Sequence, residues 1–132
     1  MKIAAITDDG HTISQHFGRA PHYLVATVEN GAIVNRELRD KLGHAHFADE
    51  PHEADAPGQP HGFGPGAQNR HTRMAEAIAD CQALLCGGMG AGAHQSMVER
   101  GIKPVVTEIA LIDEAVMAYV EGRIVDRTDW LH

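Results

Sequence analysis

The sequence concentrates its reactive side chains in histidine. Ten of the 132 residues are His against two Cys, and four of the ten, His44, His46, His52 and His61, fall in one stretch. Imidazole is the commonest protein metal ligand, and His44-x-His46 sets two of them on one short segment. Asp49, Glu50, Glu53 and Asp55 add hard oxygen donors beside them. The spacing fits no structural zinc pattern and no cysteine lies within it. A metal-capturing loop and a merely solvated insert are therefore both open. Capture through imidazoles weakens below about pH 6, where the ring protonates.

Three further clusters are more specific. His71 precedes Met74 and Ala75 at helical spacing, which puts it on the inward face of a predicted helix, as a ligand or as a half-buried hydrogen-bonded side chain. Cys86 ends a predicted parallel strand and runs into Gly87-Gly88-Met89-Gly90-Ala91-Gly92. Ligands of open α/β sheets bind beyond the carboxyl ends of the strands, where a thiol meets a soft metal; otherwise Cys86 is a small buried hydrophobe, as Cys81 is expected to be. The Gly87–Gly92 loop can cradle a small anion at the following helix N-terminus. Its Gly88-x-Gly90-x-x-Ala93 spacing, with Glu108 beyond the next strand, also fits a small-molecule or nucleotide module, although the short chain leaves little room for a second nucleotide half-site. Finally, His16-Phe17-Gly18-Arg19-Ala20 offers one ligand, one aromatic anchor, one permissive backbone position and one anion-binding head. Asp8 and Asp9 follow the first strand, but no further carboxylates join them, which argues against a hydrolase.

These residues need strand ends and helix starts to position them, and the pattern supplies both. KIAAIT at 2–7 reads as a buried strand entering a turn at Thr7-Asp8-Asp9-Gly10. HYLVATV at 22–28 is a strand, Asn30-Gly31 is a hairpin turn, and a return strand runs from Ala32 to about Leu42. Residues 43–68 lack any hydrophobic period, carry four prolines and five glycines, and read as a flexible His/Pro/Gly-rich loop. A helix over 69–81, a strand at 83–86, a helix to Arg100 stopped by Gly101, a strand at 103–107 and a last helix from Ile112 to near Gly122 follow. The order βββ then αβαβα predicts one α/β domain over 1–132, with a five-stranded mixed sheet and helices on both faces.

Bulk properties narrow the partners. A net charge of −7, with 11 scattered Lys and Arg, repels phosphate backbones and argues against nucleic acid. No apolar run approaches the roughly 18 residues of a membrane span, and the opening lacks an apolar leader, so a reducing, cytoplasmic setting is expected.

KIAAITDDG at the start, HFGRAPHYLV at 16–25 and ADCQALLCGGMGAGAHQSMVERGIKPV at 79–105 together resemble the dinitrogenase iron–molybdenum cofactor biosynthesis family, of the NifX and NifB C-terminal type. The resemblance covers nearly the whole chain and implies a three-layer α/β/α fold with a ribonuclease-H-like motif. It also implies a non-catalytic carrier of the iron–molybdenum cofactor or an iron–sulfur cluster precursor, working between cluster donor and acceptor proteins as a monomer or weak homodimer. His16, Phe17, Gly18, Arg19 and the glycines at 88, 90 and 92 carry over from the motifs, and His71 and Cys86 by position. His44 and His46 lie where relatives vary, so their metal role rests on chemistry alone. A stable iron–sulfur cluster usually takes four thiolates. One suitably placed thiol fits transient carriage, or a cluster shared by two chains.

Overall fold

The fold is built around Lys2–Thr7, strand β1, whose residues from Ile3 onward are buried. The structure is a computed structural model, and it describes residues 1–41 and 72–131. On one side β1 pairs antiparallel with β2 (His22–Glu29), which pairs antiparallel with β3 (Ala32–Asp40). On the other side β1 pairs parallel with β4 (Ala83–Cys86), and β4 with β5 (Lys103–Val106). The sheet order is β3-β2-β1-β4-β5. This is the expected five-stranded mixed sheet. Asn30 at φ 53° and Gly31 at φ 77° make the hairpin turn that Asn-Gly encodes, because both central positions of such a turn need positive φ. β4 is buried at all four positions, as a parallel strand covered on both faces should be.

Two arginines of β3 show that both faces are covered. Side chains alternate along a strand, so Arg36 and Arg39 project to opposite faces. Arg39 donates to the Ala77 carbonyl at 2.9 Å and to Asp80, on the segment that follows helical residues 72–76. Tyr23, opposite Arg39 in register, donates to the Met74 carbonyl at 2.9 Å on that same face. Helix α1 (Ala91–Glu99) lies on this side too, since Arg100 at its C-cap donates to Thr72 Oγ1. Arg36 instead makes a paired contact with Asp113 of helix α2 (Ile112–Val120), which therefore covers the opposite face.

Both helices stop in the same way. Ile102 N–H donates to the Met97 carbonyl and Gly101 N–H to Val98, with Gly101 at φ 77°. Arg123 and Gly122 repeat the pattern on Ala118 and Tyr119, with Gly122 at φ 76°. This is the glycine-dependent C-terminal motif that satisfies the last carbonyls. The helix expected over 69–81 is helical at 72–76 in its described part and then tightens into turns through residue 80. Its inward residues Met74, Ala75 and Ile78 are buried, as their spacing requires. A short 3₁₀ turn at Thr128–Trp130 was not foreseen. It is set by Arg127, whose N–H donates to the Val106 carbonyl at 2.7 Å and whose guanidinium lies 4.7 Å from the Trp130 ring centre. Among the described residues no helix is long and apolar enough to cross a membrane.

Candidate functional site

The parallel strands β1, β4 and β5 end on one side of the sheet, and the loops that leave them form the candidate site. After β1, Asp9 organises a turn with its own carboxylate. Oδ1 accepts from the His11 and Thr12 N–H groups at 2.8 Å each and from Thr7 Oγ1, and Oδ2 accepts from Thr12 Oγ1 at 2.9 Å. These donors hold the Asp9 carboxyl well below its ordinary range, the backbone N–H groups of Thr12 and His11 contributing most. An acid so fully engaged is a structural hub of the turn rather than a free catalytic base.

The chain then folds back across the end of β1. Ser14 N–H donates to the Ile6 carbonyl, and the segment reaches β4's loop through two backbone hydrogen bonds. Gly87 N–H donates to the Ser14 carbonyl at 2.9 Å, and Phe17 N–H donates to the Gly88 carbonyl at 3.1 Å. The approach is so close that a Cβ on Gly87 would sit 3.0 Å from both Gln15 Cα and the Ser14 oxygen. Glycine at 87 is thus demanded by packing. The HFGRA turn and the glycine loop, separate in sequence, form one structure at the strand ends.

Within it Phe17 is the buried anchor, at 4% exposure, while His16, Gly18 and Arg19 face solvent. The Arg19 and Ala20 N–H groups both donate to the His16 carbonyl, which closes the turn. Gly18 is not the permissive position expected of it. Its φ is not positive, and a Cβ there would meet nothing within 4 Å. Gly88 and Met89 are buried, Gly90 caps α1, and Gly92 is exposed in its first turn.

Cys86 lies deeper than a strand-end ligand needs. In register with β1, its side chain shares the face of Tyr23 and the 72–80 segment, and the residue is fully buried. Its Sγ lies 3.6 Å from the Val105 carbonyl. Burial pushes the thiol up to about 12, so it is held protonated, and metal ligation requires the thiolate. Cys81 is also buried and pushed up to about 12, by desolvation and then by Asp80. Glu108, the acid in the nucleotide reading, sits 3.6 Å from Arg127. His44, His46 and His71 lie outside the described residues. Among the described residues no three His, Cys, Asp or Glu side chains are grouped to hold a metal ion.

One site residue escaped the sequence reading altogether. Lys41, just past β3, is 1% exposed. Its Nζ donates to the Phe17 carbonyl and lies 4.4 Å from the centre of the Phe17 ring, and its N–H donates to the Pro21 carbonyl at 3.0 Å. Desolvation lowers it to about 8 against the opposing pull of Asp8. Nothing in the local pattern separates this Lys from the charged Arg36, Glu37, Arg39 and Asp40 before it.

Comparison with known proteins gives the family and the fold. Residues 1–122 match the dinitrogenase iron–molybdenum cofactor family. An uncharacterized protein of Methanocaldococcus jannaschii is 28% identical over 126 residues, covering 94% of this chain and 89% of that protein. The FeMo cofactor biosynthesis protein NifB of Frankia alni is also 28% identical over 126 residues; the match spans 95% of this chain but only 22% of NifB. Among solved structures, the apo orange protein of Desulfovibrio gigas shares the fold with a TM-score of 0.64 at 21% identity, over 96% of this chain and 92% of that one. The chain belongs to the dinitrogenase iron–molybdenum cofactor family.

Proposed function

We propose that this protein binds and hands on an anionic metal–sulfur cluster, either the iron–molybdenum cofactor or an iron–sulfur precursor of it, and performs no catalysis. Membership of the family supports an accessory role in cofactor biosynthesis in general. The observation that carries the finer reading is the docking of the Phe17 turn onto the Gly87-Gly88 backbone at the ends of β1 and β4. That junction offers exposed His16 and Arg19 above a glycine-lined helix start. The strand order β3-β2-β1-β4-β5 also supports the ribonuclease-H-like motif implied by the resemblance.

In this reading His16 is an imidazole ligand or a donor to cluster sulfides, and Arg19 offsets the cargo's negative charge. The N–H groups around Gly88, Gly90 and Gly92 add dipoles of the same sign. Cys86 would join only if the end of β4 opened, and His71, His44 and His46 would add ligands from the His-rich stretch. Transfer would run between a cluster donor and an acceptor protein in the cytoplasm, with this chain as a monomer or weak homodimer.

The test is metal and sulfide content, with a visible spectrum, after anaerobic incubation with iron–sulfur species. Cluster absorbance that His16→Ala and Arg19→Ala reduce is the expected result. A protein that stays colourless and metal-free rejects the proposal. Binding lost only when residues 44–61 are deleted would instead make the chain a His-loop metal buffer, and calorimetric binding of nucleotides would favour a glycine-loop nucleotide module.

A further inference from the structure

A buried ammonium is costly, and this one faces an unusual partner. Lys41 is almost completely withdrawn from water, yet among the described residues no carboxylate lies within ion-pairing distance of it. Desolvating a charge without a counter-ion is expensive, and side chains of that kind usually neutralise or find a partner. Lys41 directs its Nζ at a loop carbonyl, that of Phe17, and over the ring of the same residue. Its main chain holds the other end of the turn at Pro21.

The Phe17 peptide is thereby gripped from both sides. Its N–H is spent on Gly88 and its carbonyl on Lys41. The turn belongs to no strand ladder, so these contacts replace the ones a ladder would give it. His16 and Arg19 stand on either side of the gripped residue and face outward.

We propose that Lys41 is the positioning residue of the 16–20 turn, and that its positive charge, which among the described residues is touched by no carboxylate and only felt from farther off by Asp8, is retained beneath the turn for an anionic cargo to offset. The second half of this proposal rests on the carriage reading above; the first half does not. Lys41 touches no cargo itself. It acts through Phe17, fixing the backbone from which His16 and Arg19 project, and it adds a fixed cationic field below them. A neutral amide in its place keeps a donor but loses the field, whereas a guanidinium keeps both.

The experiment compares the wild type, Lys41→Gln and Lys41→Arg in two measurements. The first is amide hydrogen exchange across residues 17–20 in the metal-free protein. The second is anaerobic binding of a synthetic tetrathiolate [4Fe–4S] anion, followed by visible absorbance. In Lys41→Gln the turn should exchange about ten-fold faster and the anion should bind about ten-fold more weakly, the scale of one lost charge-assisted contact. Lys41→Arg should restore both. Unchanged exchange in Lys41→Gln overturns the positioning role, and unchanged affinity, or a folded Lys41→Arg that restores exchange but not affinity, overturns the role of charge. If the wild type does not bind the anion, the carriage reading fails and the charge role with it, while exchange still decides the positioning role. Should Lys41→Gln not fold, Phe17→Leu removes only the ring beneath the ammonium; faster exchange at residues 18–20 then supports the positioning role, and unchanged exchange rejects it.

Discussion

Two loops leave adjacent parallel strands at the same end of the sheet, and they are held by opposite means. The turn after β1 is closed by side chains: one carboxylate, Asp9, accepts from two N–H groups and two hydroxyls within its own few residues. The loop after β4 has no such internal closure. Its backbone is tied by Ser14 and Phe17, which belong to the segment following the first turn. A self-closed turn keeps its shape wherever it is placed. A loop held by another loop keeps its shape only while both are docked, and it can therefore respond to whatever binds across them.

The contrast is broken most directly at Gly87. Gly87→Ala drives a Cβ against backbone atoms of Gln15 and Ser14 at 3.0 Å, and backbone yields less readily than a side chain. We expect a loss of about 3 kcal/mol in urea unfolding, at the upper end of overpacking costs. Gly18→Ala, which meets nothing within 4 Å, should change stability by less than about 0.5 kcal/mol. Equal costs at the two positions would show that the loops are not docked as described.

A comparable effect comes from Lys41. Its folded value, about 8, lies below its ordinary 10.5, so the unfolded chain binds more protons between those limits. The Lys41 contribution to stability therefore rises with pH across that window, and is lost as pH falls toward 8. Cys81 and Cys86, held up to about 12, act in the opposite sense above about pH 9, so the Lys41 contribution, about 3 kcal/mol, is read as the pH dependence of the wild type minus that of Lys41→Met in chemical denaturation.

Asp9 carries the opposite sign. Its folded value is depressed, so its contribution is fully present above the ordinary 3.8 and disappears as pH falls below it. Asp9→Asn should lower Tm at neutral pH by less than Gly87→Ala does, and its melting curve should approach the wild type's in strong acid. Smallest of all is the exposed Arg36–Asp113 pair, at 2.7 Å, which ties β3 to α2 beside that turn. Arg36→Ala should cost less than about 1 kcal/mol, since water screens exposed pairs even in good geometry.

Most of the fold was legible because it obeys local rules. The Asn-Gly hairpin, the unbroken apolar runs of the parallel strands and the glycine stops at 101 and 122 each follow from one short stretch of sequence. The HFGRA turn and the glycine loop were each visible as motifs, but their contact was not. No periodicity records that Gly87 passes so near Gln15 that an added Cβ would sit 3.0 Å from it. The depth of Cys86 was hidden for a related reason. Its place at a strand's carboxyl end is correct, but strand parity aims the thiol under the 72–80 segment, and parity relative to the core requires the register with β1. Lys41 hid in a run of charged residues because burial at a strand's last step depends on the turn packed over it.

The mixed pairing of β1 has a temporal consequence. Its antiparallel neighbour β2 is the next strand in the chain and is joined to β3 by a tight hairpin, so the β1–β2–β3 half can assemble from nearby residues. Its parallel neighbour pairs Ile3 with Ala83, a closure that waits on a long excursion of chain. In refolding followed by pulsed amide exchange, the hairpin strands should gain protection first. The Phe17–Gly88 junction should then close last, which makes its arrival the marker of a chain ready to work.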